Sequence, residues 1–386
     1  MYSPISFFIV YTSIYFVLVP LYLYLTRSND TYLMVVVIGF LSNLMLLIGY
    51  FTKLFFRFRI MPHVILNPRV FVDLSFTFFL MFAMYSFYTF GGVPLINIFL
   101  GDADPNLLRG QLFKGRQGIE IVLLYLSAIF SYVFIPLSVL LAFHYKMKMR
   151  YLFLAFALFF SIGTLQKALL LNILFPLFAY LLLKRKVGVK FFLIMFVILF
   201  SYFIFMIQST GHAGSAIDSG GDFFSSTYVP SSALDYFFWR FFAVPIYTSV
   251  DTIYVFQNWM GGNHLLGSSS SLLSSLLGQE RVDVEKIVFE YQFGGYNPLA
   301  NANTYFAIGI FLDFSWVGLV VTSFFIGIFF QSMAQSKDLS IYSIGYLFAW
   351  QAANGSVIGI MLSSGFIYIV IHLFFLRYKF EGRYVT

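Results

Sequence analysis

The sequence predicts an all-α polytopic membrane protein with about ten transmembrane helices and one large loop, residues 209–303, containing short interfacial helices. Three observations carry this expectation. Hydrophobic residues make up 60% of the chain and charged residues 10%, with a mean hydropathy of +0.86; soluble domains carry about 25% charged residues. The apolar residues form continuous runs near the roughly 20 residues that cross about 30 Å of hydrocarbon. They do not alternate every second residue as barrel strands do, and backbone groups in lipid must be satisfied within the segment. Finally, charge is segregated. The stretch from Gln208 to Asn303 holds eight of the sixteen acidic residues and three of the twenty-three basic ones, while the short loops are rich in Lys and Arg. Basic short loops mark the cytoplasmic side, so the large loop and the working face are expected on the opposite side.

Ile5 to Leu25 reads as the first span, a retained helix, because it lacks a basic region and a small-residue cleavage site. Tyr32 to Phe51 and Val70 to Tyr88 follow, with Lys53, Arg57, Arg59 and Arg69 between them. A loop with Gly91, Gly92 and Pro94 leads through Arg109, Lys114 and Arg116 to the fourth span, Ile119 to Phe143. Tyr151 to Leu183 is too long for one span and tight for two. Basic clusters at both its ends predict a short helical hairpin turning at Gly163 to Lys167. Phe191 to Gln208 is the seventh span, and Tyr305 to Met333, Leu339 to Ala353 and Val357 to Leu376 are the last three. The chain thus divides into residues 1–208, 209–303 and 304–386, with both termini in the cytoplasm.

Ala233 to Phe256 is apolar but contains Asp235, Arg240 and Asp251. Each charge costs about 2.5–3.5 kcal/mol at the bilayer centre, and counting this run as a span pushes the basic tail outside. It is expected to lie at the outer interface or to dip in and back. Gly261 to Ser275 is expected to be mobile and Gln279 to Tyr291 to be a short amphipathic helix.

The net charge of +7 reflects basic cytoplasmic loops, so no nucleic-acid partner is expected. The chain has no cysteine, which excludes disulfides and thiolate metal sites. Asp102 and Asp104 form a D-x-D pattern that reads better as a turn before Pro105. His212 and His264 stand far apart, so no metal and no cofactor are expected. No phosphate-loop, G-x-S-x-G or H-E-x-x-H motif occurs, and no internal repeat of the kind that marks many transporters.

Arg240 is the sharpest single residue. It stands within Tyr236-Phe-Phe-Trp-Arg-Phe-Phe, where an isolated cation calls for an anion. Tyr236, Arg240 and Tyr247 fall on one face of a regular helix. A guanidinium binds phosphate oxygens bidentately; snorkelling, or pairing with Asp235 or Asp251, is the plainer alternative. Arg109, Lys114 and Arg116 form a basic loop on the outer side, where membrane topology does not account for positive charge. Lys167 sits at the hairpin turn. His212, His264, Glu290 and Asp251 are all open as a general base.

The pattern resembles the O-antigen polymerase family, which polymerises repeat units of bacterial surface polysaccharide. Four features carry the resemblance: Gly91-Gly-Val-Pro94-Leu95 followed by Arg109; the hairpin with Lys167; Arg240 in an aromatic helix of the large loop; and Asn303-Thr-Tyr305 with Asp313-Phe314 and Gly318. Ser315 stands where a glycine often follows the Asp-Phe pair. The resemblance implies a bacterial inner-membrane glycosyltransferase whose large loop is periplasmic. It transfers the growing glycan from its undecaprenyl diphosphate to the terminal sugar of a new lipid-linked unit, without a metal. Arg240, Arg109, Arg116 and Lys167 are then expected to hold diphosphates, and Tyr236, Trp239, Tyr247 and Tyr305 to frame sugars. His264 or Glu290 is expected to act as the base, and a chain-length regulator is the implied protein partner. A ligase acting on lipid A core shares this logic. A lipid-linked oligosaccharide flippase is the alternative from another class.

Overall fold

A computed structural model of the chain describes residues 3–52, 64–101, 108, 111–113, 118–165, 167–184, 193, 197, 200–201, 204, 221–295, 301–336, 338–380 and 383–384. Helices α1 (Pro4–Arg27) and α2 (Asp30–Phe51) come first. Strand β1 (Val64–Leu66) precedes α3 (Pro68–Ile98), α4 (Val122–His144) and two shorter apolar helices, α5 (Arg150–Gly163) and α6 (Lys167–Leu183). Within the large loop, α7 covers residues 233–258, α8 Ser271–Leu277 and α9 Val284–Phe293. Then come α10 (Phe306–Gln335), α11 (Leu339–Ala353), α12 (Val357–Leu362) and α13 (Ile367–Phe375), and a tail of two strands, β2 (Leu376–Phe380) and β3 (Arg383–Tyr384).

Helices α1 to α4 and α10 are long and apolar enough to cross a membrane, so the chain is a helical, multi-pass membrane protein. The expectation of ten spans meets five helices of crossing length among the described residues. Phe191 to Gln208 lies mostly outside them. The hairpin expected at Tyr151 to Leu183 is present as α5 and α6. Its turn packs beside the Gly91–Val93 turn: a Cβ on Gly163 would lie 3.0 Å from Val93 Cγ1. Helix α11 has 15 residues, about 22 Å at 1.5 Å per residue, and is too short to cross alone. The run Val357 to Leu376 is broken near Gly365, which has φ 82°.

Proline placement accounts for the most distinctive local structure. Val19, Ile135 and Val244 each donate their N–H to a carbonyl five residues back, those of Ile14, Phe130 and Trp239. The next residue in each case is a proline: Pro20, Pro136 and Pro245. A proline ring collides with the carbonyl four residues before it, and widening the turn to π geometry relieves the collision. In α7 the carbonyl freed in this way, that of Phe241, accepts the Tyr15 hydroxyl at 3.2 Å, which ties the large loop to α1.

Helices α2 and α10 form the tightest contact in the bundle. A Cβ on Gly49 would overlap the Phe324 carbonyl, and one on Gly327 would overlap that of Leu46. Small residues let membrane helices bring their backbones this close. Beside this contact runs a buried polar seam. Thr12 donates to Asn43 Oδ1 at 2.7 Å, Asn43 donates to Ser13, and Ser42 Oγ lies 3.0 Å from both Ser323 Oγ and the Tyr305 hydroxyl.

That double contact of Ser42 decides the shape of α10. Residues 305 and 323 of a straight helix lie about 27 Å apart along the axis, yet both reach one serine. The chain breaks at Phe314 and Ser315, and the arm of residues 306–313 is turned sharply against the longer arm that follows. Ser315 takes φ 60° and ψ −162°, a region that essentially only glycine occupies without strain. The resemblance expected glycine here, and the backbone gives the reason. Ser315→Gly is expected to raise the melting temperature in detergent, in keeping with the roughly 1–3 kcal/mol that such strain costs. A lower melting temperature counts against strain at this residue.

The three strands were not expected. β1 pairs in parallel with β2 (Val64 opposite Leu376), and β2 pairs antiparallel with β3. The pairing brings the loop after α2 and the C-terminal tail to the same end of the bundle. At the other end, Arg27 at the close of α1 pairs with Asp222 at 2.6 Å.

Candidate functional site

Where the large loop meets the ends of α1 and α2 there is a cavity of ≈ 490 Å³, walled by α7 and α9 and by residues 222–227. Local sequence sets each wall. Asn29 caps α2 by accepting the Thr31 N–H, which places Tyr32 in the first turn facing inward, 6% exposed. Ser232 caps α7 by accepting the Asp235 N–H, and the Asp235 carboxylate accepts from the Ser231 N–H and the Tyr228 hydroxyl. Arg27 donates to Asp222 Oδ1 at 2.6 Å and to the Tyr32 hydroxyl at 2.8 Å, so its charge is committed at the rim.

Asp251 is a half-buried carboxyl in the wall of this cavity. It projects from α7 among Tyr247, Tyr254 and Tyr291, and Gln292 Nε2 of α9 donates to its Oδ2 at 2.8 Å. Burial pushes its carboxyl up from 3.8 to about 6, and the Gln292 hydrogen bond offsets only part of that rise. A carboxylate in this range is charged at neutral pH and still basic enough to accept a proton. Tyr247, 2% exposed, has its hydroxyl pushed up by burial, while the Arg240 cation acts in the opposite direction.

The expected residues are dispersed around this cavity. Tyr247 lines it. Trp239 is buried and stacks on Tyr247 at 5.7 Å, and Tyr236 packs on Trp239 at 5.8 Å, so both support the wall from behind. Arg240 is exposed beside them and makes no ion pair among the described residues. The π turn at residues 239–243 inserts an extra residue, which brings Trp239 over Tyr247, while the Arg240 charge still acts on the Tyr247 hydroxyl. Tyr305 is 1% exposed, stacked on Phe16 at 4.3 Å, and borders a second cavity.

Neither residue named as base is among the described residues lining these two cavities. His264 packs between Phe256 and Phe311 with Nδ1 3.3 Å from the Leu312 carbonyl oxygen, and Glu290 is exposed on α9. Arg109, Lys114 and Arg116 lie outside the described residues. Lys167 opens α6, with only its backbone described. Gly261 to Ser275, expected as one mobile stretch, forms turns that end in α8; Leu265 and Leu266 donate to the Leu312 and Asp313 carbonyls. Among the described residues, no three His, Asp or Glu side chains come together as a metal site requires.

Sequence reasoning left Asp251 as one open choice and passed over Arg27, Asp222 and Gln292. The available signal was a carboxylate between Tyr247 and Tyr254 in a mostly apolar run. Searched against known proteins, the chain matches no family model, no curated protein and no solved structure.

Proposed function

We propose that this chain is a glycosyltransferase that polymerises undecaprenyl-diphosphate-linked oligosaccharide units at the outer face of a bacterial inner membrane, after the manner of the O-antigen polymerases it resembles. The observation that carries the reading is the Asp251 cavity: a carboxylate raised to about 6, framed by tyrosines, where the large loop meets two helices of crossing length. In this reading the acceptor sugar's hydroxyl enters the cavity and gives its proton to Asp251. The freed oxygen bonds the anomeric carbon of the growing glycan, and the bond from that carbon to the diphosphate breaks. The electron pair leaves with the lipid diphosphate. Arg240, exposed beside Tyr247, meets that charge, with Arg109, Arg116 and Lys167 as the further cations of the diphosphate sites. The proton on Asp251 then passes to solvent. Asp251 is preferred as the base to His264 or Glu290 because it lines this cavity and they do not.

Reconstitution tests this. Purified protein in liposomes is given the undecaprenyl-diphosphate repeat unit from its own cells, and products are resolved by size. A ladder that Arg240→Ala weakens at least tenfold, with the variant still folded, supports the reading. Consumption of the unit only when lipid A core is present points to a ligase, and an unchanged unit in either assay rejects glycosyl transfer.

A further inference from the structure

A second cavity, of ≈ 720 Å³, lies on the opposite side of α7, bordered by Thr252 where Asp251 borders the first. Its floor is the short arm of α10, ending at Asp313, 2% exposed. Ser269 Oγ donates to Asp313 Oδ2 at 2.6 Å, and the backbone of Gly267 and Ser269 faces the carboxylate. Asp313 Oδ1, fully buried, has no hydrogen-bond partner among the described residues. A buried carboxylate oxygen is costly to leave unanswered, and Asp313 is among the residues that border the cavity.

We infer that this cavity is a glycan-binding site, in which a sugar hydroxyl donates to Asp313 Oδ1. The lining selects the ligand class. Among the described residues, eight serines and threonines border the cavity, and the charged ones are Asp283, Glu285 and Asp313 against Arg281. Arg281 is already paired with Asp283 at 3.6 Å. A diphosphate, an acceptor with no proton to give, meets net negative charge from the described lining. A sugar offers hydroxyls that both donate and accept. The facing wall of Tyr125, Ile310 and Ile358 suits the apolar faces of sugar rings. The loop side is open, with Ser271 and Ser275 exposed. The site rests on its own lining and requires no transfer reaction, so it stands or falls separately from the proposed activity.

Gly309 provides a clean test. It borders the cavity, and a Cβ added there meets nothing within 4 Å. Gly309→Leu fills the space while improving helix propensity. The probe is the pool of water-soluble glycans released by mild acid from the lipid extract of the cells that make the protein. Binding is read by saturation-transfer NMR on wild type and on Gly309→Leu, Asp313→Asn and Asp251→Asn, each checked for folding by its melting curve. Wild type and Asp251→Asn are expected to bind, with affinity at least tenfold lower in Gly309→Leu and in Asp313→Asn. Folded Gly309→Leu that binds as wild type does, or no saturation transfer from wild type to any glycan, overturns the site. Glycan binding without any elongation in liposomes keeps the site and rejects the polymerase reading instead.

Discussion

Asp251→Asn is expected to lower glycan elongation by about a hundred- to ten-thousandfold, the range a general base contributes, while the protein stays folded. The substitution keeps the size of the side chain and its contact with Gln292 but removes the proton acceptor. In wild type the rate should rise with pH as Asp251 loses its proton, with a midpoint near 6. Stability runs the other way. The folded protein holds the Asp251 proton more tightly than an unfolded chain with the ordinary value of 3.8, so the buried charge disfavours the fold above pH 6 and ceases to do so toward pH 4. Asp251→Asn should therefore melt higher than wild type at pH 8, and the difference should shrink as pH falls through 6. Elongation by Asp251→Asn at the wild-type rate removes Asp251 from the chemistry, whatever the melting curves show.

Gly327→Leu is expected to abolish accumulation of folded protein. Two effects oppose each other at this position. Replacing a helical glycine gains up to about 1 kcal/mol of propensity. Against that, the new Cβ overlaps the Leu46 carbonyl oxygen and lies 2.9 Å from the Tyr50 nitrogen. Both are backbone atoms of α2, so no rotamer change relieves the overlap and the helices must separate. Overpacking typically costs about 1–3 kcal/mol even where side chains can move. Separation here also loosens the Ser42 bonds to Ser323 and Tyr305, so the clash outweighs the propensity. Gly327→Ala should show a milder form of the same defect. Size-exclusion profiles and melting curves in detergent read both variants, and a monodisperse, wild-type-like Gly327→Leu refutes the account of the contact.

The candidate site was only partly legible because its geometry depends on two breaks in helical register. Trp239 and Tyr247 stack although they lie eight residues apart, because Pro245 forces a π turn between them. The prolines were visible, and had their effect been applied, the stacking of Trp239 on Tyr247 would have been expected at the outset. Ser315 is different in kind. Its positive φ is imposed by the packing of two arms of α10 against α2, which no local rule reveals. The choice of base was open for a related reason. His264, Glu290 and Asp251 are equivalent as letters, and the proposal for Asp251 rests on its place in the wall of a cavity beside three tyrosines.

By itself the sequence determined that the chain is a helical membrane protein, where most of its apolar helices lie, that Tyr151 to Leu183 forms a hairpin, and that a large acidic loop stands apart from basic short ones. These follow from the transfer energies of residues summed along the chain, which are local quantities. Tertiary structure alone decided which carboxylate lines a cavity beside tyrosines, that Tyr305 is buried in the bundle interior, and that the C-terminal tail pairs with the strand before α3. These depend on contacts between residues hundreds of positions apart, such as Tyr15 with Phe241 and Ser42 with Tyr305, whose energies arise only when the helices have packed.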